Sequence, residues 1–249
     1  MAAPSDSDST QALLLDIEGT TTPIDFVFRT LFPFARRRLE QFLLQHGSEP
    51  RVCEDIRALK SQRQADAAEN LNPAPWVDDS PEAELASATA YGTWLIDRDS
   101  KCSALKSLQG KIWQEGYRAG ELRGEVYPDV PLAFERWACQ GKTISIFSSG
   151  SVLAQKLLFG STAAGDLTGF LRAHFDTTTG PKNAPQSYAQ IAKVIGAAPA
   201  HILFLSDITK ELDAAREAGM QTALCVRDET AQPAPSTHRV IHSFQEIFP

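Results

Sequence analysis

The sequence predicts an α/β protein with a parallel sheet and a helical domain inserted after its first strand. Three observations carry this. Four short apolar runs each stop abruptly at polar or acidic residues: Ala12–Leu15, Lys142–Phe147, His201–Leu205 and Thr222–Val226. Helical patterns separate the last three, and strands alternating with helices imply βαβ units with right-handed crossovers. Between the first and second runs the chain reads as helix almost throughout, which is too long for a single crossover.

Taken in order, Met1–Thr10 is small and polar, with neither a basic region nor an apolar stretch, so a disordered tail is expected over 1–10 and no signal peptide. Ala12–Leu15 followed by Asp16-Ile17-Glu18-Gly19-Thr20-Thr21-Thr22 reads as a buried strand ending in a polar turn. Helical patterns then cover Ala35–Gln45, Arg51–Asn70, Pro81–Asp97 and Cys102–Tyr117, with a Pro-containing loop at Asn72–Pro75. The expected organisation is a core of 11–30 and 124–249 around a helical insert, 31–123. Two unrelated domains in series fit less well, because the first strand alone makes no sheet. Tyr127–Pro131 marks the return, and Leu132–Cys139 is a core helix. Beyond the second strand, helices are expected from Val152 to Leu158, Ser187 to Ile195, and Glu211 to Ala218, the last stopped by Gly219. No internal repeat or low-complexity segment is present.

Composition narrows the function classes. A chain of 249 residues, 43% hydrophobic and 22% charged, supports a globular protein with a substantial core. A formal charge of −7 argues against nonspecific nucleic-acid binding. The four cysteines, Cys53, Cys102, Cys139 and Cys225, are far apart, which disfavours zinc or a disulfide framework and suits a reducing, intracellular setting. No apolar run is long enough to span a membrane. The five histidines show no metal spacing, and Trp94, Trp113 and Trp137 fall in helical patterns as packing residues.

Chemistry is expected where strands end, because ligands in open α/β sheets bind beyond the carboxyl ends of the strands. Asp16 is the candidate nucleophile, attacking phosphorus to give an aspartyl-phosphate that water hydrolyses. Glu18, two residues on, is placed as general acid and then general base. Ser148, Ser149 and Gly150 end the second strand and open a helix, an arrangement that offers a hydroxyl and backbone N–H groups to an anion. Lys182, in a loop entering a helix, supplies a point charge to the phosphate and the nucleophile. Asp207 ends the third strong run and completes a Mg²⁺ site with Asp16. Glu211, one turn later, orients the site or serves as an N-terminal helix acid. Each signal has an ordinary reading: a solvated turn, an N-cap, a surface lysine. Their shared order along the chain does not, and it suits a phosphohydrolase of the haloacid dehalogenase type.

Longer stretches sharpen this. Asp16–Thr21, Leu31–Arg36, Ala104–Gly110, Val126–Pro131, Ser148–Ser151 with Gln155–Gly160, Phe175–Lys182, and Leu205–Asp207 with Glu211–Ala215 together resemble the enolase-phosphatases, or acireductone synthases, of methionine salvage. The likeness runs from about Leu13 to Val226, and Glu18 in place of a second Asp is itself a mark of that branch. The resemblance implies a Rossmann-like haloacid dehalogenase core with a helical cap. It implies a bifunctional Mg²⁺ enzyme acting on a small-molecule phosphate ester. That enzyme enolises 2,3-diketo-5-methylthiopentyl 1-phosphate, then dephosphorylates the enol to 1,2-dihydroxy-3-keto-5-methylthiopentene. By motif position, Asp16 and Asp207 ligate the metal through side chains, and Glu18 joins through its backbone carbonyl. Ser148, Ser149 and Lys182 bind substrate, and Glu18 or an acid of the cap is the enolisation base. A monomeric, cytoplasmic protein with no nucleic-acid or membrane partner is implied. Asp25, Thr209 and Lys210 depart locally from the pattern, the last two expected to face solvent. Other phosphatases on this fold, a noncatalytic binder and a dehalogenase are the competing readings.

Overall fold

The computed structural model describes residues 10–228 and 237–249. It forms two compact units: the described residues up to Phe26 with Arg123–Pro249, and Val27–Leu122. The division falls at Phe26/Val27 and Leu122/Arg123, against the expected 30/31 and 123/124. Residues 1–9 of the expected tail lie outside the described residues. Thr10, also assigned to it, is instead buried. Its hydroxyl donates to Gln221 Oε1 at 3.1 Å, and its carbonyl accepts from Lys142 Nζ at 2.8 Å.

The first unit begins with β1 (Ala12–Leu15), four residues without a polar side chain and all buried, and reaches the short helix α1 (Ile24–Phe26). The second unit then runs through a π-helical turn (Val27–Leu31), α2 (Phe32–His46), α3 (Pro50–Ala68), α4 (Pro81–Asp97) and α5 (Ser103–Arg118). Its helices start where the sequence permits. Ser80 Oγ accepts from Ala83 N at 3.1 Å ahead of Pro81, a serine cap followed by a proline at the first helical position. Leu39, Leu43, Leu59, Tyr91 and Leu108 form its apolar interior. The buried Tyr91 hydroxyl is satisfied by Asp66 Oδ2 at 2.6 Å, and Trp113 Nε1 donates to Leu31 O at 2.9 Å.

The chain returns through α6 (Asp129–Cys139), β2 (Thr143–Phe147), α7 (Val152–Gly160), β3 (Leu171–Phe175), α8 (Pro185–Ile195), β4 (Ile202–Ser206), α9 (Thr209–Glu217), β5 (Gln221–Cys225) and β6 (Arg239–Ile241). These strands and β1 form a parallel sheet in the order β3-β2-β1-β4-β5-β6. β1 is central: Leu14 aligns with Ser145 of β2 on one side and Phe204 of β4 on the other. One face packs Leu14, Phe147 and Phe204 against Tyr188, Ile191 and Leu212 of α8 and α9. Trp137 of α6 has no exposed surface, and its Nε1 donates to Ile247 O at 2.9 Å. Truncating it to alanine would cost about 3–5 kcal/mol.

Two strands, β3 and β6, have no counterpart among the expected elements. β3 reads Leu-Arg-Ala-His-Phe and lies at one edge of the sheet with only Phe175 buried, so it never forms an apolar run. β6 is three residues at the other edge. Thr209 and Lys210, expected to face solvent, are exposed.

Candidate active site

A strand order of 3-2-1-4-5-6 reverses direction between β1 and β4, and a crevice opens at such a switch point beyond the strand ends. Asp16 follows β1 there and Asp207 follows β4, while Ser148 follows β2. Lys182 arrives from the loop before α8. Helix α8 starts at Pro185 and ends against Gly196, whose φ of 80° suits glycine.

The turn after β1 is wound tightly. The amides of Thr20, Thr21 and Thr22 all donate to Ile17 O, and Thr21 Oγ1 donates to Asp16 O at 3.0 Å. Asp16 Oδ1 accepts from Ile17 N at 2.8 Å and meets Lys182 Nζ at 2.6 Å. Lys182 Nζ also meets Glu211 Oε2 at 2.7 Å. Ser206 Oγ lies 3.1 Å from both Asp16 Oδ2 and Glu211 Oε2, closing a ring of four side chains. On the other side, Ser148 Oγ donates to Glu18 Oε2 at 3.2 Å and accepts from Gly150 N. Capping of α7 falls to Ser151, whose Oγ accepts from Ala154 N, so Ser148 is left for the crevice. Ser149 is half-buried beside it.

Asp207 differs from these groups. Its Oδ1 is buried and has no hydrogen-bond partner. Its Oδ2 packs on Gly19, where a Cβ would come within 2.3 Å, and Gly19 itself sits at φ +70°. Glycine is therefore required there on both counts. An orphaned carboxylate oxygen within electrostatic reach of Asp16 and Glu18 fits a Mg²⁺ ion, which takes one or two protein carboxylates and keeps its other positions for phosphate and water. Among the described residues no three His, Cys, Asp or Glu side chains are grouped as a ready-made metal cage.

Electrostatics follow from crowding acids in a buried space. Burial, then the neighbouring Asp16 charge, pushes Asp207 up to about 7. The same two causes raise Glu18, with its own backbone N–H, then Lys182 and Ser148, offsetting them only in part. Glu211 is pushed up to about 7 by burial and Asp16, against the pull of Lys182. Burial opposes the Lys182 ammonium, but Asp16 and Glu211 outweigh it and hold its pKa above the ordinary lysine range. Ser206 has one proton for two carboxylates. A protonated Glu211 can donate to Ser206 while Ser206 donates to Asp16.

The chain is similar to known proteins over nearly its full length. Residues 10–219 match a family model described as haloacid dehalogenase-like hydrolase. Enolase-phosphatase E1 of Synechococcus elongatus is 49% identical over 239 residues, covering 96% of this chain and 98% of the relative. The Pseudomonas syringae protein of the same name is 44% identical, covering 96% and 97%. The crystal structure of the UTR4 protein of Saccharomyces cerevisiae superposes with a TM-score of 0.75 at 34% identity, covering 96% of this chain and all of that one.

The chain belongs to the enolase-phosphatase family. It is therefore a phosphatase of the haloacid dehalogenase-like class, and members of that class are generally Mg²⁺-dependent. The enolase-phosphatase crevice brings together Asp16, Lys182 and Glu211 in one bonded group, and Glu18 and Ser148 in another.

Two residues of the enolase-phosphatase crevice lie in the matched stretches but were given no role there. Ser206 reads merely as the end of a strand. Gln155, buried within α7, donates from Nε2 to Gly150 O at 2.9 Å and Phe175 O at 2.8 Å, tying the Ser148–Gly150 turn to the end of β3. A buried glutamine in a mostly apolar helix was the available clue, since such a group must find partners.

Proposed function

We propose that this protein converts 2,3-diketo-5-methylthiopentyl 1-phosphate into 1,2-dihydroxy-3-keto-5-methylthiopentene, enolising the diketone and then releasing phosphate. Asp16 is the nucleophile. Its carboxylate attacks phosphorus, the enol oxygen leaves, and an aspartyl-phosphate remains. Glu18, buried and raised in pKa, gives a proton to the leaving oxygen and then takes one from the water that hydrolyses the intermediate. It is also the core unit's candidate base for enolisation, in competition with acids of the helical unit.

Ser148, Ser149 and Lys182 bind the substrate phosphate. Lys182 is the observation that carries the reading: a largely buried ammonium 2.6 Å from the nucleophile would neutralise charge on a phosphoryl group brought against Asp16. Mg²⁺ would be held by the side chains of Asp16 and Asp207 and the backbone carbonyl of Glu18. Bound there, it supplies charge neutralisation of the phosphate. Val27–Leu122 is the cap of this reading, which also takes the protein as cytoplasmic, monomeric and without nucleic-acid or membrane partners. No described helix is long and apolar enough to cross a membrane.

A time course on the diketo ester tests the proposal, with ultraviolet absorbance following the enol and a phosphate assay following release. An enol signal that precedes phosphate, and loss of release on chelation of Mg²⁺, are expected. Faster release from common phosphomonoesters than from the diketo ester would point to another phosphatase on this fold. No phosphate from any ester would favour a binding protein.

A further inference from the structure

We infer that Arg227 is a positioning residue whose guanidinium clamps the Thr20 carbonyl and so sets the turn carrying Asp16 and Glu18. The inference deepens the proposed function and rests on it for the roles of those two acids. Three amides of the turn point inward to Ile17 O, so the turn is held from inside. Its outward handles are the carbonyls of Thr20 and Thr21. Thr21 O accepts from Tyr127 N at 2.9 Å. Thr20 O accepts from Arg227 twice, from Nε at 2.9 Å and Nη2 at 2.7 Å.

The clamp is itself held on every side. Arg227 Nη1 donates to Asp129 Oδ2 at 2.7 Å, and both side chains are buried, 8% and 11% exposed. Asp129 Oδ2 accepts in turn from Ser243 Oγ at 2.9 Å and Phe244 N at 2.6 Å. The rings of Tyr127 and Phe244 each lie 4.4 Å from the guanidinium carbon. A planar fork stacked on aromatic rings and gripping one carbonyl with two donors is a task for arginine that lysine cannot copy. Arg227 Nη1 also donates to His242 O at 3.4 Å, just beyond β6, a longer contact than the two to Thr20 O. Arg227 lies beyond the end of β5, and Gly19, Asp207, Tyr127 and Arg227 line one cleft of about 630 Å³. The groups it joins are the nucleophile turn, the start of α6 and the C-terminal segment. Setting that turn matters because small displacements of reacting groups are costly, about a hundredfold in rate for 1 Å.

The test is Arg227→Lys in the full chain, with thermal unfolding, steady-state kinetics on the diketo ester and hydrogen exchange of the Thr20–Thr22 amides. Expected are a kcat for phosphate release lower by about 10–100-fold, a KM within about twofold, and faster exchange confined to that turn. A folded variant with kcat within about twofold of the parent and unchanged exchange at Thr20–Thr22 would overturn the inference, leaving Arg227 a purely structural group. If Arg227→Lys does not fold, Arg227→Gln, uncharged and without the two-donor fork that grips Thr20 O, takes its place, and the same two results in that variant decide in the same way. Parent protein inactive on the diketo ester would count against the proposed function alone, since exchange at the turn needs no substrate.

Discussion

Replacing Lys182 by methionine removes the single ammonium from between two carboxylates. Asp16 and Glu211 lie 2.6 and 2.7 Å from its Nζ, and their side chains are 3% and 14% exposed. Deleting one member of a buried ion pair costs about 3–5 kcal/mol, because the partner charge is stranded. The variant has one way out, which is to bind a proton. Glu211 already sits near 7 with the lysine present, and without it the pKa must rise further. Above about pH 7 the parent has released that proton and the variant keeps it. The native variant then holds more protons than its unfolded chain, so its stability falls as pH rises. The stability gap should widen by about 1.4 kcal/mol per pH unit above neutrality. Urea titrations of metal-free protein at several pH values would measure this, with Lys182→Arg, which keeps the charge, as control. A gap below about 1 kcal/mol that does not change with pH would refute the reasoning, since it would mean that the two acids are solvated and need no counter-charge.

Gly19→Ala places a methyl group 2.3 Å from Asp207 Oδ2 at a φ of +70°. Backbone strain of about 1–2 kcal/mol and a displaced Asp207 are expected, the second seen as a higher Mg²⁺ concentration for half-maximal activity; unchanged Mg²⁺ activation would show that Asp207 is not held by this contact. Asp207 is raised from 3.8 to about 7, so the native metal-free protein binds its proton more tightly than the unfolded chain does. Its contribution to stability is thus full below the unfolded value and is lost as pH climbs toward 7. Because the ligand must be ionised, Mg²⁺ should raise the melting temperature more at about pH 8 than at about pH 6, and equal shifts at both would count against Asp207 as a ligand. Glu18→Gln should lower phosphate release by about 10²–10⁴-fold. Enolisation retained in that variant would show that the two steps use different bases.

The β-strands that were legible are those whose sequence is decided by burial. β1, β2, β4 and β5 lie inside the sheet and needed apolar runs; β3 and β6 sit at its edges, where half the surface is free and the pattern dissolves. The helices of Val27–Leu122 were legible from their helical patterns, but their ends slid by a few residues. The Phe26/Val27 division was not legible, because α1 runs straight into the π-helical turn with no breaker between them, and the nearest one, Pro33, falls later in the first turn of α2. Asp16, Ser148 and Asp207 could be read because each closes an apolar run. Lys182 follows no such run and drew its weight from order along the chain. The Lys182–Glu211 contact, the Ser206–Asp16 bond and the Arg227 clamp join residues tens to hundreds of positions apart. No local pattern encodes a contact of that kind, and Arg227 reads only as the polar residue after a strand.

Why an acidic chain should handle an acidic substrate is answered locally. Asp16, Glu18, Asp207 and Glu211 act on one another electrostatically around a single ammonium, Lys182. Four carboxylates and one cation cannot all be ionised cheaply away from water, and the raised pKa values of Glu18, Asp207 and Glu211 are how the crevice relieves the imbalance by itself. Protons, however, neutralise carboxylates at the cost of their function: a protonated Asp207 is a poor ligand. A divalent cation would remove the same excess while leaving the acids ionised, and a phosphate dianion would then enter a space whose charge is already offset. Binding of the two should therefore be reciprocal, each favouring the other by the same free energy. The formal charge of −7 over the whole chain says little about this crevice, where the balance is set by five side chains and whatever ion joins them.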